Sequence, residues 1–174
     1  MNWFRRKRKE TGFVCTTCGQ IHENTPTDIG HSLPDAVWAL GEEARNKHLQ
    51  WSTDLSYFEG KSYLRGVLQV PFTFREGKFA WGVWAEVSEE TIRKYQKIFD
   101  HDGSSCPRES GSLANEIVGI ESTIGLPIEV QFGPSDQRPT LFFHSNCSHP
   151  LAIIQRTGLG EAQYHAIIAP YLRP

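Results

Sequence analysis

Residues 54–87, "DLSYFEGKSYLRGVLQVPFTFREGKFAWGVWAEV", constrain the fold more than any other part of the chain. Three runs rich in aromatic and β-branched residues are separated by Glu59-Gly60 and Glu76-Gly77. Such runs joined by glycine turns predict strands linked by tight hairpins, here an antiparallel β-meander. If Glu59-Gly60 is a two-residue loop, Phe58 pairs with Lys61 and Asp54 lies opposite Arg65. The same assumption at Glu76-Gly77 puts Gln69 opposite Trp84 and Val67 opposite Glu86. Side chains alternate between the faces of a strand. One face then carries Leu64, Leu68, Val70, Phe72, Trp81, Val83, Ala85 and Val87, a core face. The other carries Asp54, Tyr63, Arg65, Gln69, Trp84 and Glu86. That face reads either as a solvated surface with a cross-strand ion pair or as a polar pocket with a tryptophan wall.

The flanking segments predict helices against this sheet. A short helix starts near Ser32, with Pro34 in its first turn. "SEETIRKYQKIF" reads as a helix capped by Ser88, with Glu89 and Glu90 in the first turn. Leu113, Ile117, Ile120 and Ile124 fit a second helix ended at Gly125. "PIEVQF" and "PTLFFHS" read as two further strands, and residues 159–169 as a last helix stopped by Pro170. The fold class is therefore α+β: an antiparallel meander sheet with packed helices.

Charge is distributed unevenly. Arg5, Arg6, Lys7, Arg8 and Lys9 are consecutive, and the first ten residues hold one acid, Glu10. The rest of the chain keeps 13 basic and 19 acidic groups, a net charge of −6. An acidic body argues against a broad nucleic-acid surface. Residues 1–12 read as a basic flexible tail and 13–174 as a single domain, with 13–31 a distinct cysteine-bearing segment. No apolar run follows the basic residues as a secretory signal requires, and no stretch approaches the ~18 apolar residues of a membrane span. The expected setting is the cytoplasm, where the four cysteines would be thiols or metal ligands.

"FVCTTCGQIH" carries that chemistry. In a Cys-x-x-Cys-Gly turn both sulfurs face one point, and glycine after the second cysteine permits a positive φ. The segment thus reads as a zinc-knuckle-like unit with Cys15, Cys18 and His22 as ligands. Zinc takes four ligands, so the last must come from elsewhere: His144, Cys147, His149, Cys106 and His31 are the candidates. A redox pair and two small thiols buried in a turn remain the alternatives. Other catalytic signatures are absent. There is no Gly-x-Ser-x-Gly, "HENTP" ends where a second metal-binding histidine would stand, and "GLGEAQ" reads as a turn before a helix.

"FVCTTCGQIHENTP", "LRGVLQVPF", "FAWGVWAEVSEE" and "HPLAIIQRTGL" together resemble a bacterial family known as domain of unknown function 2199. The resemblance covers most of the chain, from about residue 13 to residue 169, and implies no activity. It does imply shared positions. They are Cys15, Cys18, Gly19 and His22 near the start, and Asp54, Arg65, Gly66, Trp81, Gly82 and Trp84 in the strands. His149, Pro150 and Gln155 follow near the end. It favours His149 over Cys147 as the fourth ligand. Strand register places shared Asp54, Arg65 and Trp84 on the polar face, which reads as a ligand-binding pocket if the "HPLAIIQ" segment closes it through His149 or Gln155.

Two functional readings follow. One is a non-enzymatic, zinc-stabilised module that binds a protein or a small molecule. The other is a metal-dependent hydrolase with three protein ligands, an open zinc position and a carboxylate base such as Glu23. Whether the chain is an enzyme stays open at this point.

Overall fold

The computed structural model describes residues 13–22, 25–48, 50–135 and 137–171, with backbone alone for residues 13, 22, 46–48, 50 and 51. The basic tail lies outside the described residues. Strands β1 (Phe13–Val14) and β2 (Ile21–His22) form an antiparallel hairpin, pairing Phe13 with His22 and Val14 with Ile21. There follow β3 (Asp28–Gly30), α1 (Asp35–Trp38), α2 (Glu42–His48), β4 (Gln50–Trp51), β5 (Leu55–Phe58), β6 (Lys61–Pro71) and β7 (Lys78–Val87). The second half holds α3 (Glu89–Ile98), β8 (Glu109–Leu113), β9 (Pro127–Gln131), β10 (Thr140–Phe143), α4 (Pro150–Thr157) and α5 (Glu161–Ile168).

The sheet runs β3-β7-β8-β9-β10-β6-β5-β4, and β6 also pairs with β7. Strands β6 to β10 therefore close into a five-stranded barrel. Closure is possible because β6 and β7 are long, 11 and 10 residues, and each changes partner along its outer edge. β6 pairs with β5 at its start and with β10 at Val67; β7 pairs with β3 at Ala80–Gly82 and with β8 at Ala85–Val87. The expected antiparallel meander is thus only part of the sheet. The pairs β3–β7 and β6–β10 are parallel.

The inward face of β6 and β7 is the predicted one: Leu64, Leu68, Val70, Trp81, Val83 and Ala85 are buried together with Ile128, Val130 and Leu141. α3, α4 and α5 add Ile92, Leu151, Tyr164 and Ile168 to this core. Gly66 is required there, since a Cβ would lie 2.7 Å from Leu141 Cδ2. A second, smaller core sits on the outer face, where Tyr63 and Trp84 are buried with Leu33, Val37 and Ala114.

Two expectations need correction. The Glu59-Gly60 hairpin has the expected register, Phe58 opposite Lys61. The β6–β7 connection does not: Pro71 pairs with Lys78, so Arg65 lies opposite Trp84 and Gln69 opposite Ala80. The ladder stops early because the loop aromatics go elsewhere. Phe72 bridges to Leu159, and Phe72 and Phe74 pack their rings on Tyr164 of α5. The displacement is four residues, an even number, so every side chain keeps its predicted face. The helix expected over 113–124 is also absent. Leu113 ends β8, and the following loop is held by Thr123 Oγ1, which donates to Asn115 O and accepts from Ile117 N. Val118 and Ile124, two residues near or in the supposed apolar stripe, are 71% and 56% exposed.

Candidate metal centre and neighbouring cavities

Cys15 leaves β1 into a tight turn. Its N–H donates to Gln20 O at 2.8 Å, and Gly19 N–H donates to Cys15 O at 2.7 Å. Gly19 has φ +72°, a conformation that suits glycine. Burial raises the Cys15 thiol pKa, but hydrogen bonds from the backbone and side chains of Cys18 and Thr17 outweigh it, and the net direction is down. Backbone and side-chain donors facing a sulfur stabilise the thiolate, the form that binds metal.

α5 comes to this turn from the other end of the chain. Its buried Tyr164 donates its hydroxyl to Pro26 O at 2.8 Å, which anchors the helix beside the N-terminal segment. Thr16 N–H donates to Glu161 Oε1, and one helical turn later His165 reaches the cysteines. Ligand atoms of Cys15, Cys18 and His165 lie within 4.8 Å of one another. A tetrahedral zinc with Zn–S bonds of about 2.3 Å would separate its sulfurs by about 3.8 Å, so a small closure of this group suffices.

His165 has no sequence signal of its own. Nothing in the spacing of a C-terminal helix ties it to a turn some 150 positions earlier. The other expected ligands sit as follows. His22 ends β2, and its side chain, like Glu23, lies outside the described residues. His149 caps α4: its Nδ1 accepts from Leu151 N–H at 3.2 Å, and its Nε2 bonds Glu121 O at 2.7 Å. With Nδ1 accepting and Nε2 donating, that ring has no lone pair left for a metal.

The expected ligand-binding residues divide among three places. Asp54 lines a cavity of about 470 Å³ with Tyr95, Gln69 and Arg138, and its Oδ1 accepts from Arg138 Nε at 2.6 Å. Arg65 takes its backbone bond from Asp54, N to O at 2.8 Å, but sends its side chain over Gly30 and toward the Trp84 ring, 5.9 Å from the centroid. Burial, then the charge of Arg138, lower the Arg65 pKa, and Asp54 opposes them. Trp84 is 0% exposed in the second core and donates Nε1–H to His31 O at 3.2 Å, so it is covered and does not line this cavity.

Gln155 belongs to α4 and does the work of a missing strand rung. β10 meets β6 at a single position, Thr140 opposite Val67. Beyond it the strands part, and the Gln155 amide fills the gap. Oε1 accepts from Phe143 N–H at 2.9 Å, and Nε2 donates to Leu141 O at 2.9 Å and to Gln69 O at 3.5 Å. Buried backbone groups need such partners, so this side chain seals the barrel seam.

The sequence profile of a family described as "Uncharacterized protein conserved in bacteria (DUF2199)" matches residues 14–159. The chain belongs to this family. The DUF2199 match takes in both cysteines of the turn, the whole barrel and α4, and ends at Leu159, so His165 lies beyond it. No curated protein and no solved structure matches the chain. Among the described residues, no helix is long and apolar enough to cross a membrane.

Proposed function

We propose that this DUF2199 protein is a zinc-stabilised, non-enzymatic module that binds a protein or small-molecule partner. One observation carries the reading: Cys15, Cys18 and His165 bring ligand atoms within 4.8 Å of one another from opposite ends of the chain. A metal there would fasten the N-terminal hairpin to α5. Two thiolates and an imidazole suit zinc, and thiolates already offset its charge, as in structural sites. His22, the next histidine along the hairpin, is our choice for the fourth ligand. A cytoplasmic setting, which keeps thiols reduced, fits this chemistry.

The hydrolase reading keeps one supporting observation. The group offers three donors, and Cys18 is exposed, which leaves room for a zinc-bound water. The number of protein ligands separates the two. Cobalt-substituted protein should show four-coordinate absorption that His22→Ala alters and that added anions leave alone. Absorption indifferent to His22→Ala but sensitive to anions would favour the open site.

A further inference from the structure

Where β10 parts from β6, the barrel seam opens into a cavity of about 790 Å³. Its floor is firm, because Gln155 and Gln69 are bonded to backbone and to Lys78 across it. Its walls carry three cations and a histidine from separate parts of the chain: Lys78 opens β7, Arg108 precedes β8, Arg156 sits on α4, and His144 follows β10. Glu129, the one acid lining it among the described residues, is already held by Arg108 Nη1 at 2.8 Å and lies 3.7 Å from His144 Nδ1. Arg108 is further fixed by stacking on Phe142, 4.2 Å from the ring centroid. Neither Lys78 nor Arg156 has an ion-pair partner among the described residues. Lys78 donates to Gln69 Oε1 at 3.2 Å and Arg156 to Cys147 O at 2.9 Å. A lysine has three N–H groups and an arginine five, so both retain donors for the cavity. This concentration of positive charge sits on a body that is net negative outside the tail.

We infer that the seam cavity binds a small polyanion whose charge sits on phosphate or carboxylate groups. The volume lies within the roughly 300–1,000 Å³ of small-molecule sites. Arginine forks match the oxygens of either group, and a concave cationic wall concentrates anions. The inference gives the binding-module reading its ligand class, and it shares no residue with Cys15, Cys18 or His165.

The experiment is calorimetric titration of the intact, zinc-loaded chain at low salt with inorganic pyrophosphate and, separately, with citrate. At least one should bind, with affinity falling as salt is added. The better of the two identifies the anionic group. Lys78→Gln and Arg156→Gln should each weaken binding by about tenfold while leaving the ligand-free melting temperature unchanged. Binding of neither anion up to millimolar concentration, or equal binding by wild type and both variants, overturns the inference. Metal content is measured on the same samples. Protein whose melting temperature falls on chelation yet ignores both anions refutes the cavity alone; protein that binds them while its melting temperature is indifferent to zinc refutes the metal reading alone.

Discussion

The backbone N–H of Thr16, between the two cysteines, donates to the Glu161 carboxylate on α5, 145 positions away in sequence. This bond aligns the turn with the helix face that carries His165, one turn further on. The metal group thus depends on tertiary docking, and the two histidines at issue should respond differently. His165→Ala should remove the bound metal. His149→Ala should keep it and lose the α4 cap and the bond to Glu121 O, costing about 1–2 kcal/mol. Elemental analysis of both variants with urea unfolding checks this; equal metal loss in both would contradict the assignment.

Gln155 should matter for stability well beyond a surface amide. Gln155→Leu leaves Phe143 N–H and Leu141 O without their partners. Unsatisfied buried groups cost about 1–3 kcal/mol each, so the variant should lose roughly 2–4 kcal/mol in urea unfolding. Hydrogen exchange at Phe143 should quicken at the same time. A loss under about 0.5 kcal/mol would mean that water replaces the amide at the seam.

Gly66 and Leu141 should be energetically coupled. A methyl at residue 66 meets the Leu141 side chain at 2.7–3.1 Å, well inside contact distance. Gly66→Ala should cost about 1–3 kcal/mol through overpacking. In Gly66→Ala/Leu141→Ala the clash is gone, so the pair should be less destabilising than the sum of the single changes. Strict additivity would show that the barrel adjusts around Gly66 by other means.

The sequence was most readable where local chemistry decides the outcome. The Glu59-Gly60 hairpin needs a positive φ at both residues, 48° and 76°, and its register follows from loop length alone. Ser88 caps α3 through Thr91 N–H, as its position before two glutamates implies. The reading failed where distant segments decide. Glu76-Gly77 resembles the first turn, but Tyr164 of α5 draws Phe72 and Phe74 out of the ladder. Leu113, Ile117 and Ile120 have helical spacing, yet pairing of Leu113 with Ala85 and the buried Asn115 and Thr123 set an extended strand and a loop held by side-chain hydrogen bonds. His149-Pro150, a cap followed by proline in the first turn, marks the start of α4, although His149 taken alone also fits a metal ligand. The cysteines were visible locally; His165 was not, because only the docking of α5 brings it near.

His31 should titrate below the ordinary histidine value of 6.5. Burial lowers its pKa, Asp35 opposes, and Arg65 adds to the lowering. The unfolded chain then binds more protons than the folded one between the two pKa values. Stability contributed by neutral His31 is therefore present above pH 6.5 and declines as pH falls below it. NMR titration of the His31 ring should give a midpoint under 6.5. A midpoint above it would mean that Asp35 outweighs burial.

The central claim is that a metal joins the hairpin to α5, and metal content with melting temperature tests it most directly. Purified chain should carry one zinc per molecule. Chelator treatment should lower the melting temperature by many degrees, zinc should restore it, and Cys15→Ser should melt like the stripped protein, because metal binding free energy adds to folding free energy. A metal-free chain whose melting temperature does not move on adding zinc would contradict the account.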